Sequence, residues 1–217
     1  MKRSRSKNNA NRGPCFGFLM MTFSAFLLPL STVGQPCVDD FQQLYEKESQ
    51  VNDTSQSRSY VVCPRKIYEM GNLDYDGNLV QPNVGTVNPP LPLRNNIRIR
   101  CGDRGSREDL CWLRGGDLHM DGTKALGIKD ETLENVQIEG FVFMGAREHS
   151  LLANKPGSIT FRDCEFRDFT NSSAPIMLDY FDASNPTKEL VTSFFECDFR
   201  VSCIIRCICT VSKIFLF

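Results

Sequence analysis

The stretch Asn135-Val136-Gln137-Ile138-Glu139-Gly140-Phe141-Val142-Phe143 is followed, across a polar gap, by Ser158-Ile159-Thr160-Phe161-Arg162-Asp163-Cys164-Glu165-Phe166. Val136, Ile138, Phe141 and Phe143 in the first segment are matched position for position by Ile159, Phe161, Cys164 and Phe166 in the second. Alternation with a period of two marks strands with one buried face, and its return at the same spacing marks one structural unit written twice. A third copy, degraded at its start, reads Thr192, Phe194, Cys197, Phe199, and an earlier one opens with Ile97, Ile99 and Cys101.

The first core positions, Ile97, Val136, Ile159 and Thr192, are separated by 39, 23 and 33 residues. The shortest interval is close to one turn of a β-solenoid, and the longer ones are turns with loops inserted at a corner. Residues 97–101, 111–114 and 118–120 supply three short strands, the middle and last divided by Gly115-Gly116, and so one coil of three strands and three corners. Stacking such coils about 4.8 Å apart brings Ile97, Val136 and Ile159 into one inward column and Cys164 and Cys197 into another. The last two can form a thiol stack or a disulfide, and their shared inward register favours the stack.

Working outward, 217 residues suffice for one domain with a sizeable core, a targeting segment and extra loop. A formal net charge of -1 offers no basic field for nucleic acid. Lys2, Arg3, Arg5, Lys7 and Arg12 precede an apolar run over 16–30, followed by Ser31, Thr32 and Gly34, the order of a secretory signal peptide over residues 1–34. Read as an uncleaved anchor, the run is short against the roughly 20 residues of a membrane span. Any membrane contact rests on that segment alone. The expected location is extracellular or at the cell surface.

Ten cysteines fit that compartment. Cys37, Cys63, Cys101 and Cys111 lie in the loop-rich first half as disulfide candidates whose connectivity the sequence leaves open. No CxxC pair exists, and the two histidines, His119 and His149, have no ligand-like partners, so no zinc site is expected and both read as surface or turn residues. Asn52-Asp53-Thr54 and Asn171-Ser172-Ser173 are N-glycosylation sequons.

Residues 35–95 form an N-terminal region. Asp39 or Asp40 caps a short amphipathic helix presenting Phe41, Leu44 and Tyr45. Residues 60–63 and 67–70 are short strands, and Asp74, Asp76 and Gly77 read as a turn in preference to a calcium loop. Pro82, Pro89, Pro90 and Pro92 leave residues 81–94 as an extended surface loop. The coils span 96–200. Residues 201–217, with Cys203, Cys207 and Cys209 among apolar residues, show no such alternation and read as an irregular tail, or as non-native sequence following a solenoid that was cut short.

The segments 135–143, 158–166 and Ser193-Phe-Phe-Glu-Cys-Asp-Phe199 resemble the pectin lyase-like superfamily over about 95–200. That resemblance implies an all-β fold, a right-handed parallel β-helix, whose N-terminal end is closed by the amphipathic helix. It also implies that an active site would lie on the outward face of the first parallel sheet. Arg98, Gln137, Thr160 and Ser193 form one outward column there, and Arg100, Glu139, Arg162 and Phe195 the next.

Glycosidic hydrolysis needs two carboxyl groups about 5 to 9 Å apart, and Glu139 has no second carboxylate in either column, so no catalytic residue is assigned. Arg100, Gln137, Glu139, Thr160 and Arg162 are the candidate ligand-binding residues. Arg100, Glu139 and Arg162 read either as a cross-strand charge ladder or as a site for a sugar carboxylate or sulfate. No metal site is assigned, although Asp163, Glu165 and Asp198 near the next corner could gather calcium. Trp112 is expected in the core. The expected function is a secreted, non-catalytic carbohydrate-binding or wall-associated structural module, with a polysaccharide or wall component as partner. A lyase or hydrolase acting on acidic polysaccharide is the alternative, and a truncated product without independent function is a third reading.

Overall fold

A computed structural model of the chain describes residues 36–74, 78–83, 85–122, 132–168, 176–178, 189–200, 205–207 and 212–216. Residues 1–34 with the signal segment, the sequon at Asn171, and Cys203 and Cys209 lie outside them.

Three parallel sheets carry the fold. The first contains β1 (Arg58–Val62), β6 (Ile97–Cys101), β9 (Leu133–Glu139), β12 (Gly157–Arg162), β15 (Leu190–Phe195) and β18 (Ser212–Leu216), in that order. The second contains β2 (Lys66–Glu69), β7 (Cys111–Arg114), β10 (Phe141–Met144), β13 (Glu165–Arg167) and β16 (Asp198–Arg200). The third contains β5 (Leu91–Pro92), β8 (Leu118–Asp121), β11 (His149–Ala153), β14 (Ile176–Leu178) and β17 (Ile205–Cys207). The chain visits the sheets in rotation and returns to the first one strand further along, which makes the architecture solenoid-like. A small antiparallel hairpin, β3 (Asn72–Leu73) with β4 (Leu79–Val80), projects from the first coil.

The register is the one the repeat implies. Arg98, Ile99 and Arg100 lie level with Gln137, Ile138 and Glu139, these with Thr160, Phe161 and Arg162, and these with Ser193, Phe194 and Phe195. Phe143, Phe166 and Phe199 occupy one column of the second sheet and stack at 4.7 and 5.0 Å between ring centroids. Phe161 and Phe194 stack at 5.0 Å beside them. Aromatic columns of this kind add about 0.5–1.5 kcal/mol per pair to the area they bury.

Positive-φ residues punctuate several first-sheet strands: Asn96 precedes β6 and Gly102 follows it, and Asn135 lies near the start of β9. Asn96 and Asn135 both have φ 57 and sit one above the other, with Asn135 Nδ2 donating to Asn96 Oδ1 at 2.8 Å. Asparagine tolerates the left-handed region that other side chains avoid. Gly140, Asp163 and Glu196 hold the equivalent place at the exit of successive coils.

The N-terminal end of the stack is closed by α1 (Phe41–Ser49), capped by Asp40, whose carboxylate accepts from Gln42 N at 2.9 Å. Phe41, Leu44 and Tyr45 are buried, and Phe41 stacks on Tyr68 at 4.6 Å. Glu48, in the last turn of α1, is fully buried as well. Its carboxylate accepts from Arg58 at 3.0 Å and from the Tyr60 hydroxyl at 2.6 Å, and Arg94 reaches its main-chain oxygen.

Three sequence expectations need correction. The solenoid begins one coil earlier, because β1 and β2 pair in parallel with β6 and β7. The proline-rich loop contributes β5, with Leu91 and Leu93 buried. Proline is tolerated there because β5 is an edge strand, in which a missing N–H costs no ladder bond. The tail continues the coils through β17 and β18. Ile214 and Leu216 take the registers of Thr192 and Phe194, while Phe215 takes the outward register of Ser193 and so hides the alternation.

Two disulfides join Cys37 to Cys63 and Cys101 to Cys111. They indicate an oxidising, extracellular-type environment. Cys164 and Cys197 are free thiols at the same corner of adjacent coils, as a stack and not as a disulfide.

Candidate functional site

All five candidate residues, Arg100, Gln137, Glu139, Thr160 and Arg162, fall on the outward face of the first sheet, because the period of two places them between the buried Ile99, Val136, Ile138, Ile159 and Phe161. Their connections differ from a simple ladder. Glu139 is bound by Arg98, one position diagonal to it, at 2.6 Å, and is only 5% exposed. Arg100, level with Glu139, has a buried Nε with no hydrogen-bond partner. The Arg162 guanidinium carbon lies over the ring of Phe195, 4.5 Å from its centroid, and has no carboxylate partner among the described residues. Gln137, Thr160 and Ser193 form a neutral, half-buried column alongside.

Glu139 is shielded by a loop the sequence does not announce. Residues 102–110 leave β6, fold over the sheet and return at β7, and the Cys101–Cys111 disulfide ties the two ends together. Ser106 caps a 3-10 turn over Arg107–Asp109, and Arg104 pairs with Asp109 at 2.5 Å. From this strap Arg107 reaches the second and third coils beyond its own. Its Nε donates to Asp163 Oδ1 at 2.7 Å, and Nη1 donates to Asp198 Oδ2 at 2.5 Å. Ser106 Oγ donates to Asp163 Oδ2 at 2.9 Å.

Close approach beneath the strap explains the glycines. A Cβ on Gly140 would fall 2.5 Å from the Gly105 carbonyl carbon, in a backbone with φ +77. The one sequence signal for this device was a pair of cysteines ten residues apart, flanking a segment rich in glycine, arginine and acids.

The acids considered for calcium are used otherwise. Asp163 and Asp198 hold Arg107, and Glu165 pairs with Arg200 at 3.2 Å and Arg167 at 3.5 Å. Among the described residues no three metal-ligating side chains gather.

Trp112 is not in the core. It lies on the outward face of the second sheet, level with Ile67 and Val142, with the Arg167 guanidinium 4.8 Å from its ring. Alternation alone cannot say which face of a short strand turns inward when the flanking residues are a cysteine and a leucine. Here the disulfide and Leu113 take the interior.

His119, expected at the surface, is wholly buried against Phe143. Its Nε2 lies 2.9 Å from the Gly115 carbonyl, which can only accept, so Nε2 carries the proton and Nδ1 accepts from Ser150 Oγ at 2.9 Å. Burial depresses its pKa to about 4.

A cavity of about 550 Å³ lies at the capped end, beside the start of α1 and the β3–β4 hairpin. Its charged groups are already engaged: Asp40 caps the helix, Lys66 donates to the Asp39 carbonyl at 3.0 Å, and Glu69 pairs with Arg114. Asn52 is exposed in a loop, where a glycan could be attached. No family model matches the sequence, and neither a curated protein nor a solved structure matches it.

Proposed function

We propose that the protein is a secreted right-handed parallel β-helix that binds acidic polysaccharide on the outward face of its first sheet without cleaving it. The observation that carries this reading is Arg162, an exposed cation with no carboxylate partner among the described residues, held over the ring of Phe195. A guanidinium fixed on a ring has already lost much of its rotational freedom and presents its donors to a planar anion, a carboxylate or sulfate. The neighbouring Gln137, Thr160 and Ser193 offer hydrogen bonds to sugar hydroxyls along the coil direction.

The non-catalytic part of the reading is supported by Glu139. It is the single carboxylate in these two columns, and it is shielded by the strap and bound to Arg98. General acid and base work across a glycosidic bond needs a second carboxyl group.

Titration calorimetry with uronic-acid and sulfated oligosaccharides tests both parts. Arg162→Ala is expected to weaken binding about tenfold, the loss of one charge-assisted contact worth roughly 1.5 kcal/mol, with affinity falling as salt rises. Affinity unchanged by Arg162→Ala would refute the site. New reducing ends or unsaturated sugars would overturn the non-catalytic reading in favour of a polysaccharide lyase or hydrolase.

A further inference from the structure

We propose that Cys164 and Cys197 form an oxidisable dithiol, a site of exchange with small disulfides that closes into a Cys164–Cys197 bridge between two coils. The register places them together. Arg162 is level with Phe195 just before the corner, and Glu165 with Asp198 just after it, so the two cysteines occupy the same step of consecutive coils. The backbone is closed on both sides, by Asp163 N donating to Phe195 O and Asp198 N to Cys164 O, each at 2.9 Å. The two Sγ atoms donate to level carbonyls of the paired strands, Cys164 to Arg162 O and Cys197 to Phe195 O, each at 3.3 Å. A disulfide requires Cα atoms about 4.4–6.8 Å apart, and the roughly 4.8 Å step between stacked parallel strands falls inside that range.

The two thiols are not equivalent, and the difference assigns their roles. Cys164 is wholly buried, with its Sγ donating to the Arg162 carbonyl at 3.3 Å, and burial pushes its pKa up. Cys197 is half-buried, and the adjacent Cys164 thiol, with a smaller contribution from Arg107, holds its pKa below the ordinary thiol value. Arg107 lies across this corner because its two partners, Asp163 and Asp198, directly precede Cys164 and directly follow Cys197. A lowered pKa, partial exposure and an adjacent second thiol are the conditions for selective oxidation.

The chemistry balances without further reagents. The Cys197 thiolate attacks one sulfur of a small disulfide, forming a mixed disulfide and releasing one thiolate. Cys164 gives up its proton, attacks the Cys197 sulfur and expels the second thiolate. Two protein thiols are oxidised by two electrons in total, the small disulfide is reduced to two thiols, and the two protons lost by the protein are carried by them. The bridge would staple the fourth coil to the fifth around the intervening 32 residues.

The probe is bis(2-hydroxyethyl) disulfide, which is uncharged and so indifferent to the exposed Glu196 and Asp198 beside Cys197. The full chain is treated, residual thiols are alkylated, and tryptic peptides are mapped. Peptide 163–167 linked to peptide 189–200, lost on reduction, is the expected result. In Cys164→Ser the hydroxyethyl adduct remains on Cys197, and in Cys197→Ser Cys164 stays unmodified in the folded chain. Both peptides recovered as alkylated thiols, Cys197 joined instead to Cys203, Cys207 or Cys209, or Cys164 modified as readily without Cys197, would each overturn the proposal.

Discussion

Thr192 stands where the repeat has Val136 and Ile159, and the structure shows what the substitution costs. Its side chain is fully buried on the inward register, and its hydroxyl has no hydrogen-bond partner. Burying such a group unpaired costs about 1–3 kcal/mol. Thr192→Val keeps the shape and removes the hydroxyl, so chemical denaturation should show a gain of about 1 kcal/mol, and no gain would mean the hydroxyl is satisfied. His119 makes a different prediction. Its pKa falls from an ordinary 6.5 to about 4 on folding. Above pH 6.5 the ring is neutral in both states and this contribution is fully present. As pH falls below 6.5 the unfolded chain takes up a proton that the folded chain refuses, and stability declines until about pH 4, by about 3 kcal/mol in total. Urea unfolding of His119→Gln across that window should show a shallower decline than the natural sequence.

At the scale of elements, two pieces of irregular chain determine how the coils are used. The helix α1 seals the N-terminal end, and the buried Glu48 with Arg58, Tyr60 and Arg94 fixes it in one position. The strap at residues 102–110 covers Glu139 in the next coil and, through Arg107, clamps the two coils after that. Gly140 is the pivot of this second device. Gly140→Ala must place a methyl group 2.5 Å from the strap backbone while keeping φ +77. A loss of about 2 kcal/mol is expected from strain and displacement together. Faster tryptic cleavage after Arg104 and Arg107 should accompany it, and wild-type cleavage rates would show that the strap does not rest on this glycine.

At the scale of the whole molecule, the two disulfides fasten different regions. Cys37–Cys63 spans 26 residues and anchors the capping segment, whereas Cys101–Cys111 spans 10 and closes the strap. Loop-closure entropy gives about 3.5 kcal/mol for the longer and about 2.7 kcal/mol for the shorter. Replacing Cys37 and Cys63 together by alanine should therefore lower the melting temperature more than replacing Cys101 and Cys111. The reverse order would mean that native-state strain, not chain entropy, dominates. At the other end β16, β17 and β18 are the last members of their sheets.

The sequence by itself determined the repeat, its register and the inward and outward sets of the first sheet, because a period of two is a local property that survives without neighbours. The columns Arg98, Gln137, Thr160, Ser193 and Arg100, Glu139, Arg162, Phe195 needed nothing more. It lost sight of coils where the contrast between faces fades, as at Leu91–Pro92 and Ser212–Leu216. Only the tertiary structure decided which groups are engaged. Glu139 joins Arg98, Asp163 and Asp198 hold Arg107, Trp112 turns outward and His119 turns inward. Each depends on a partner tens of residues away, brought close by the stacking of coils, and side-chain pairing across such distances leaves no periodic trace in the chain.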